Sequence, residues 1–363
     1  MNRNRTSGML LPVAVNLGAL AITIAISMAV IAVSGSDPVE AMRALWDGAF
    51  GGRAQVAGTL SKMIPLMLVA LGWIVAFRAR RVSIGFEGQI LVGGILATWV
   101  GLHLGHLPAG IHLPLAVLAG VVGGAAWAGI AAFLWARYSV HEILSTLLLN
   151  LIAVQVVSWL VRGPLQEPTG TFPRSGAILP GARWPKILEH TPLSWDFLLA
   201  LASVFAIWFL LARTTFGFRL KFTGANDEAA RYGGINTRSV TVTALVVSGA
   251  LAGLAGSSLI LAGEATSMSD NFSANYGFEG IVVALLARNE PVACIPAALL
   301  FALLRQGGGL MEAQVGVPSS VVLITQGLVV LLVAGSAFLL ERRRSVRVDV
   351  DPVPPKAISV EAG

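Results

Sequence analysis

Two carboxylates stand in the same short frame at distant points of the chain. Gly85-Phe86-Glu87-Gly88 and Gly277-Phe278-Glu279-Gly280 each place a glutamate between glycines, directly after a phenylalanine. Both frames open stretches apolar enough to sit in lipid, where a carboxylate costs about 2.5–3.5 kcal/mol on insertion scales, so two of them need a reason. Glu87, Gln89 and Glu279 are suited to accept or exchange hydrogen bonds with the hydroxyls of a small solute. Phe86 and Phe278 have two readings: stacking on a planar base, worth about 1–3 kcal/mol each, or packing against neighbouring helices. Asn150, in another apolar stretch, reads either as part of the same polar path or, with Gln155, as hydrogen-bonding glue between helices.

A second segment, 224–235, reads Gly-Ala-Asn-Asp-Glu-Ala-Ala-Arg-Tyr-Gly-Gly-Ile. Asn226 is a good N-cap. Asp227 and Glu228 suit the positive N-terminal end of a helix, and Arg231 the negative C-terminal end. Gly233 supplies a left-handed stop. The pattern predicts a helix of about six residues, through Ala229, Ala230 and Tyr232, roughly 9 Å long. So short a helix is marginal alone in water. It is either a well-behaved connector or a coupling helix that seats in a groove of a cytosolic ATPase.

Other chemistry is missing. None of the four lysines follows a glycine, so there is no phosphate-binding loop. His141-Glu142 lacks the second histidine of a zinc-protease helix, and no serine sits in a Gly-x-Ser-x-Gly elbow. His103, His106 and His112 lie near one connection and read as solvated loop histidines, with no carboxylate or cysteine beside them to complete a metal site. Cys294, the lone cysteine, reads as a packed thiol. The chain is expected to bind no cofactor or metal, and to draw energy from a partner or an ion gradient.

The elements that must position these residues follow from composition. The 363 residues are 55% hydrophobic and only 12% charged, with mean hydropathy +0.77. A soluble chain carries about 25% charge, so lipid must cover much of this surface. The net charge of +6 reflects membrane orientation rather than nucleic acid, because the basic residues fall in short connections. Apolar runs near 9–33, 56–77, 88–105, 113–135, 143–161, 197–212, 240–262, 277–288, 291–304 and 318–340 predict an all-α transmembrane bundle of about ten helices. The runs at 277–288 and 291–304 are short enough to be half-helices. With the N-terminus inside, 17 of the 25 Lys and Arg fall on inside segments and 8 on outside ones, Lys62 and Arg305 among the 8. That bias predicts cytoplasmic termini. Residues 1–347 form one membrane domain and 348–363 a disordered cytosolic tail. Residues 39–50 read as a surface helix, and 162–196 show no strong pattern.

The repeated Gly-Phe-Glu-Gly frames open helices that run in opposite directions in this layout. That is the mark of a five-plus-five inverted repeat with a path between its halves, although glutamate in a first helical turn is favourable anyway. Gly120-x-x-x-Gly124 and Gly249-x-x-x-Gly253, extended by Gly256, predict close helix contact within the subunit.

The chain resembles the permease subunits of ABC importers for purine nucleosides, within the wider group serving simple sugars and branched-chain amino acids. Ile84 to Gln89 is similar to the family's Asn-Ile-Gly-x-Glu-Gly-Gln. Glu142, Ser145, Thr146 and Asn150 match its Asn-Glu-Val-Ile-Ser-Thr…Asn stretch, and 224–235 its cytosolic loop. Residues 276–291 and 316–320 resemble its C-terminal signature. Ser83 and His141 stand where Asn is frequent, and Glu279 where Asp is. The resemblance implies a multi-pass protein of the bacterial plasma membrane and a second permease subunit, the same or different. It also implies a cytosolic ABC ATPase that uses the ATP and an extracytoplasmic substrate-binding protein, with nucleosides ahead of simple sugars and amino acids a distant third. An ion-coupled secondary transporter with an inverted repeat is the alternative; it would not need the helix at 226–232.

Overall fold

The computed structural model describes residues 24–33, 35–168, 172–263, 267–318 and 320–328, with isolated positions 18, 22, 331 and 332. Most of the first predicted run and the tail at 348–363 lie outside the described residues. Every regular element among the described residues is helical, with isolated β-bridges only in the connections. In lipid a helix alone satisfies its own backbone, so the apolar runs leave little choice. The helices are α1 (Ile24–Val33), α2 (Pro38–Phe50), α3 (Arg53–Arg78), α4 (Phe86–His103), α5 (Ala109–Tyr138), α6 (Glu142–Val161), α7 (Asp196–Arg213), α8 (Thr215–Ala225), α9 (Asp227–Tyr232), α10 (Thr237–Leu261), α11 (Tyr276–Leu286) and α12 (Cys294–Val315), and the described residues 320–328 are also helical. Six of them, α3, α5, α6, α7, α10 and α12, are long and apolar enough to cross a membrane, and the sharply bent pair α1 and α2 would make a seventh.

The core is built around α3 and α10. Along α3 an unbroken run from Met63 to Ala76 is buried, so this helix is surrounded by protein rather than lipid. Helices α4, α5 and α10 meet through glycine. A methyl at Gly124 would stand 2.3 Å from the Gly249 carbonyl oxygen, one at Gly253 2.2 Å from that of Gly120, and one at Gly93 2.5 Å from the Gly253 Cα. The two predicted small-residue motifs therefore face one another inside the subunit, where backbone approaches backbone.

One end of the bundle gathers arginines. Arg78 pairs with Glu290 at 3.0 Å. Arg81 lies 3.5 Å from Glu142 and 4.2 Å from the centre of the Trp135 ring. Arg238 donates to the Ala136 carbonyl. The end of α8 is seated on Arg78, where a methyl at Gly224 would meet the Arg78 carbonyl at 2.1 Å. The opposite end is capped by the connection 162–168 and 172–196, which is more ordered than its sequence suggests. Ile178 and Ala182 are buried. Leu179 donates to the Gly101 carbonyl at 3.2 Å and Trp184 to that of Leu261 at 3.0 Å.

Four expectations change. The runs at 277–288 and 291–304 are not two similar half-helices: α11 has 11 residues, whereas α12 has 22. A left-handed turn at Arg288 and Asn289 joins them, with φ of 53° and 57°. Arg305, counted with the outer segments, is therefore inside α12, and Lys62 is inside α3. His112 is no solvated loop residue: it is buried in α5, and its Nε2 lies 3.0 Å from the Val100 carbonyl oxygen. The left-handed residue after α9 is Gly234 (φ 79°) rather than Gly233 (φ −75°).

Candidate transport pathway and coupling segment

The segment before α4 runs inward before it becomes helical. Residues 81–84 take no regular secondary structure, and the turn at Gly85 starts α4 well below the arginine-rich end. Asn150 of α6 fixes the depth. It sits eight residues beyond Glu142, the partner of Arg81, a rise of about 12 Å. Its Nδ2 donates to the Ile84 carbonyl at 2.8 Å, and its Oδ1 accepts from the Gly88 amide at 2.9 Å. Both ends of the amide are thus used on the start of α4. A methyl on Gly88 would stand 2.9 Å from both Asn150 Oδ1 and Trp127 Nε1, so only glycine lets α6 this close.

Helix α11 begins at the same level. Its 11 residues rise about 16 Å from the arginine-rich end. Its first turn meets the first turn of α4 directly. Glu87 accepts from the Gly277 amide at 2.8 Å through Oε2, and from the Ser273 hydroxyl through Oε1. A methyl on Gly277 would fall 2.4 Å from the Glu87 backbone nitrogen. The two Gly-Phe-Glu-Gly frames are therefore in contact, at two broken helix starts near mid-depth.

Glu279 has a different setting. Its Oε1 accepts from Arg305 Nη1 at 2.7 Å, while its Oε2 is buried with no hydrogen-bond partner among the described residues. Arg305 is held in place: Nη2 donates to the Ala274 carbonyl at 2.8 Å, and the guanidinium lies 3.8 Å from the centre of the Tyr276 ring. The backbone before α11 takes left-handed values at Ala274 (φ 41°) and Asn275 (φ 65°). A recess of about 290 Å³ opens beside this pair, lined by Lys62, Asn275, Glu279, Arg305 and Gln326. Lys62, Glu87, Glu279 and Arg305 together put two cations and two anions within the helical bundle. Ionisable groups there face the bundle interior and mark solute paths as a rule.

The remaining predicted residues distribute unevenly. Phe86 is fully buried, packed beneath Gly72 and 6.3 Å from Trp73 between ring centres, so it serves the core. Phe278 is 39% exposed. Gln89 is buried in the first turn of α4, its Oε1 without a partner among the described residues.

Helix α9 spans Asp227–Tyr232. Asn226 Oδ1 accepts from the Ala229 amide at 3.0 Å, and Asp227 pairs with Arg231 at 2.7 Å. Ala230 is buried against its own chain, which leaves Glu228, Ala229, Arg231 and Tyr232 facing outward. Tyr232 is 94% exposed.

The family described as branched-chain amino acid transport system / permease component matches residues 55–334. The chain belongs to that family. This permease is 37% identical over 348 residues to the glucose ABC transporter permease protein TsgB13 of Haloferax volcanii, covering 93% of this chain and 90% of that one. It is 35% identical over 335 residues to the guanosine ABC transporter permease protein NupP of Bacillus subtilis, covering 92% and 94%. It is also 29% identical over 336 residues to the nucleoside ABC transporter permease protein NupB of Lactococcus lactis, covering 90% and 89%. The permease is thus a multi-pass inner-membrane transport subunit of an ABC importer, whose ATPase and substrate-binding components are separate.

Residue-level reading missed Arg305, Ser273 and Tyr276 as members of the cluster. A signal for Arg305 existed: it interrupts a stretch that is apolar from 291 and continues through Gly307, Gly308 and Gly309. A single arginine inside such a stretch is costly without an internal partner, and Glu279 is that partner.

Proposed function

We propose that the permease carries purine nucleosides, or a related simple sugar, into the cell along a path that passes the joined starts of α4 and α11. The observation that carries this reading is the meeting of two glycine-interrupted helix starts at mid-depth. Broken helices of this kind supply amide and carboxylate groups to a solute where a continuous helix would bury them. The solute class rests on the relatives named for guanosine, nucleosides and glucose.

In this reading the chain crosses the membrane ten times as a five-plus-five inverted repeat over residues 1–347. Its termini and the tail at 348–363 are cytoplasmic. Moving Lys62 and Arg305 into the bilayer lowers the outer group of basic residues from 8 to 6 against 17 inside, which supports that orientation. The chain performs no catalysis and binds no cofactor. ATP is hydrolysed by a cytosolic ABC ATPase that receives α9, with Asn226, Asp227 and Ala230 shaping the helix and Glu228, Ala229, Arg231 and Tyr232 touching the partner. A second permease subunit completes the path, and an extracytoplasmic binding protein delivers the solute.

The test is uptake of labelled guanosine, adenosine, glucose, ribose and leucine by cells expressing the complete system, with deletion of this gene as control. Gene-dependent uptake of a nucleoside or sugar is expected. Gene-dependent uptake of leucine alone would overturn the solute assignment.

A further inference from the structure

The recess beside Arg305 has a chemistry of its own. Its polar wall consists of Lys62, Asn275, Glu279, Arg305 and Gln326, and among the described residues no aromatic ring lines it. A planar base therefore finds no stacking face there, although stacking is the usual way a base is held without sequence-type readout. Its volume of about 290 Å³ lies at the lower edge of small-ligand pockets, closer to one sugar ring than to a whole nucleoside. Glu279 faces this space with one oxygen satisfied by Arg305 and the other buried without a donor among the described residues. A buried acceptor left unpaired is costly, and native structures tolerate it where a ligand supplies the missing donor.

Arg305 cannot swing across to fill that need. Its two terminal nitrogens are committed to Glu279 Oε1 and the Ala274 carbonyl, and its plane lies on Tyr276. The floor of the recess is open, since a methyl at Gly309 would meet nothing within 4 Å. Helices α3, α11 and α12 meet here, with residues 322–326 on the remaining side. Lys62 lies nine residues into α3 and Arg305 ten residues before the end of α12, each about 14–15 Å from the end opposite the arginines.

We propose that this recess is a polyhydroxyl subsite. It binds the sugar ring shared by nucleosides and simple sugars, with Glu279 Oε2 accepting from a ring hydroxyl while Arg305 holds the carboxylate in place. The base of a nucleoside stays outside it. The subsite deepens the reading given above and rests on it for the solute, but its test does not require transport.

The probe is a thiol placed at the recess by Gly309→Cys; the native Cys294 is fully buried. In the purified complete importer, the rate of maleimide labelling is followed with guanosine, ribose, glucose, 2′,3′-dideoxyguanosine or guanine present. Guanosine, ribose and glucose are expected to slow labelling. Guanine and the dideoxy analogue need concentrations on the order of tenfold higher, as loss of one hydrogen bond to a charged acceptor predicts. Adding Glu279→Gln removes the advantage of the hydroxylated rings, and Gln326→Leu weakens it. Basal ATP hydrolysis by each variant complex reports that it is assembled. Protection by guanine equal to that by guanosine would overturn the proposal. So would full protection retained in an assembled Glu279→Gln complex, or no protection by any of the hydroxylated rings. Protection by ribose in an importer whose cells take up only leucine would leave the subsite standing and sink the transport assignment instead.

Discussion

The starts of α4 and α11 carry the same four residues and do different work. At α4 the glutamate is fully spent: Glu87 holds Ser273 and the Gly277 amide, and Asn150 holds both sides of the turn at Gly85. At α11 the equivalent glutamate spends one oxygen on Arg305 and keeps the other. The first start is a clasp that fixes two broken helices together. The second is a half-satisfied, buried group beside the recess. Identical local sequence thus leaves the division of labour to what each helix meets, and the largest effects should come from disturbing the clasp. Gly277→Val places branched carbons where a single methyl already lies 2.4 Å from the Glu87 backbone. Overpacking at a backbone contact costs at least the upper end of about 1–3 kcal/mol. The expected outcome is a low yield of assembled complex and a depressed thermal midpoint; a normal midpoint would show that the two starts separate readily.

Asn150→Leu tests the clasp from the other side. Leucine fits the volume but leaves the Gly88 amide and the Ile84 carbonyl without partners, at about 1–3 kcal/mol each when buried. The thermal midpoint should fall nearly as far as for Gly277→Val. Since α11 has no equivalent of Asn150, the recess at Arg305 should keep its response to solute in whatever fraction assembles.

How much of this was readable in advance depends on distance along the chain. The cap of α9 was readable because every group in it lies within about ten residues: Asn226 accepts from the Ala229 amide as the predicted cap, and Asp227 and Arg231, expected at opposite ends of the helix, also pair with each other. The left-handed stop moved by one residue, from Gly233 to Gly234, because either glycine serves and the choice depends on how α10 follows. The glycine seam between α5 and α10 was readable from spacing alone, as small residues four apart leave one face bare. What stayed hidden was pairing across the fold. Arg305 meets Glu279 from a different helix, His112 finds the Val100 carbonyl, and residues 175–184 are tied to Gly101, Leu261 and Met268. No local pattern announces such partners. Phe86 belongs here too: its frame matches that of Phe278, yet Gly72 and Trp73 enclose it.

A pair of conservative changes separates clasp from contact. Glu87→Gln can keep a carbonyl on the Gly277 amide but forces the Ser273 hydroxyl to turn and accept, and it removes the charge from two bonds that as charge-assisted bonds are worth about 1.5–3 kcal/mol each. It should lower the thermal midpoint more than it lowers uptake per assembled complex. Glu279→Gln can keep a carbonyl on Arg305 and should do the reverse, with a smaller change in midpoint and a large loss of uptake. Equal effects of the two variants on both readouts would erase the distinction between the two starts.

The smallest stability effects belong to a third helix start, that of α9, which is exposed where the other two are buried. Asn226→Ala removes one cap bond at about 1 kcal/mol. Tyr232→Ala should change stability by no more than about 0.5 kcal/mol, because the ring is 94% exposed and touches little of its own chain. Its effect should appear only in coupling. If the ring seats in the ATPase, Tyr232→Ala complexes keep their thermal midpoint and their solute response at Gly309→Cys, yet hydrolyse ATP without importing. Ala230→Trp is the weaker probe, since Ala230 is buried against its own chain and a large ring there disturbs α9 before any partner arrives. Normal import by Tyr232→Ala would mean that the aromatic ring is a bystander and that docking, if it uses α9, rests on Glu228 and Arg231.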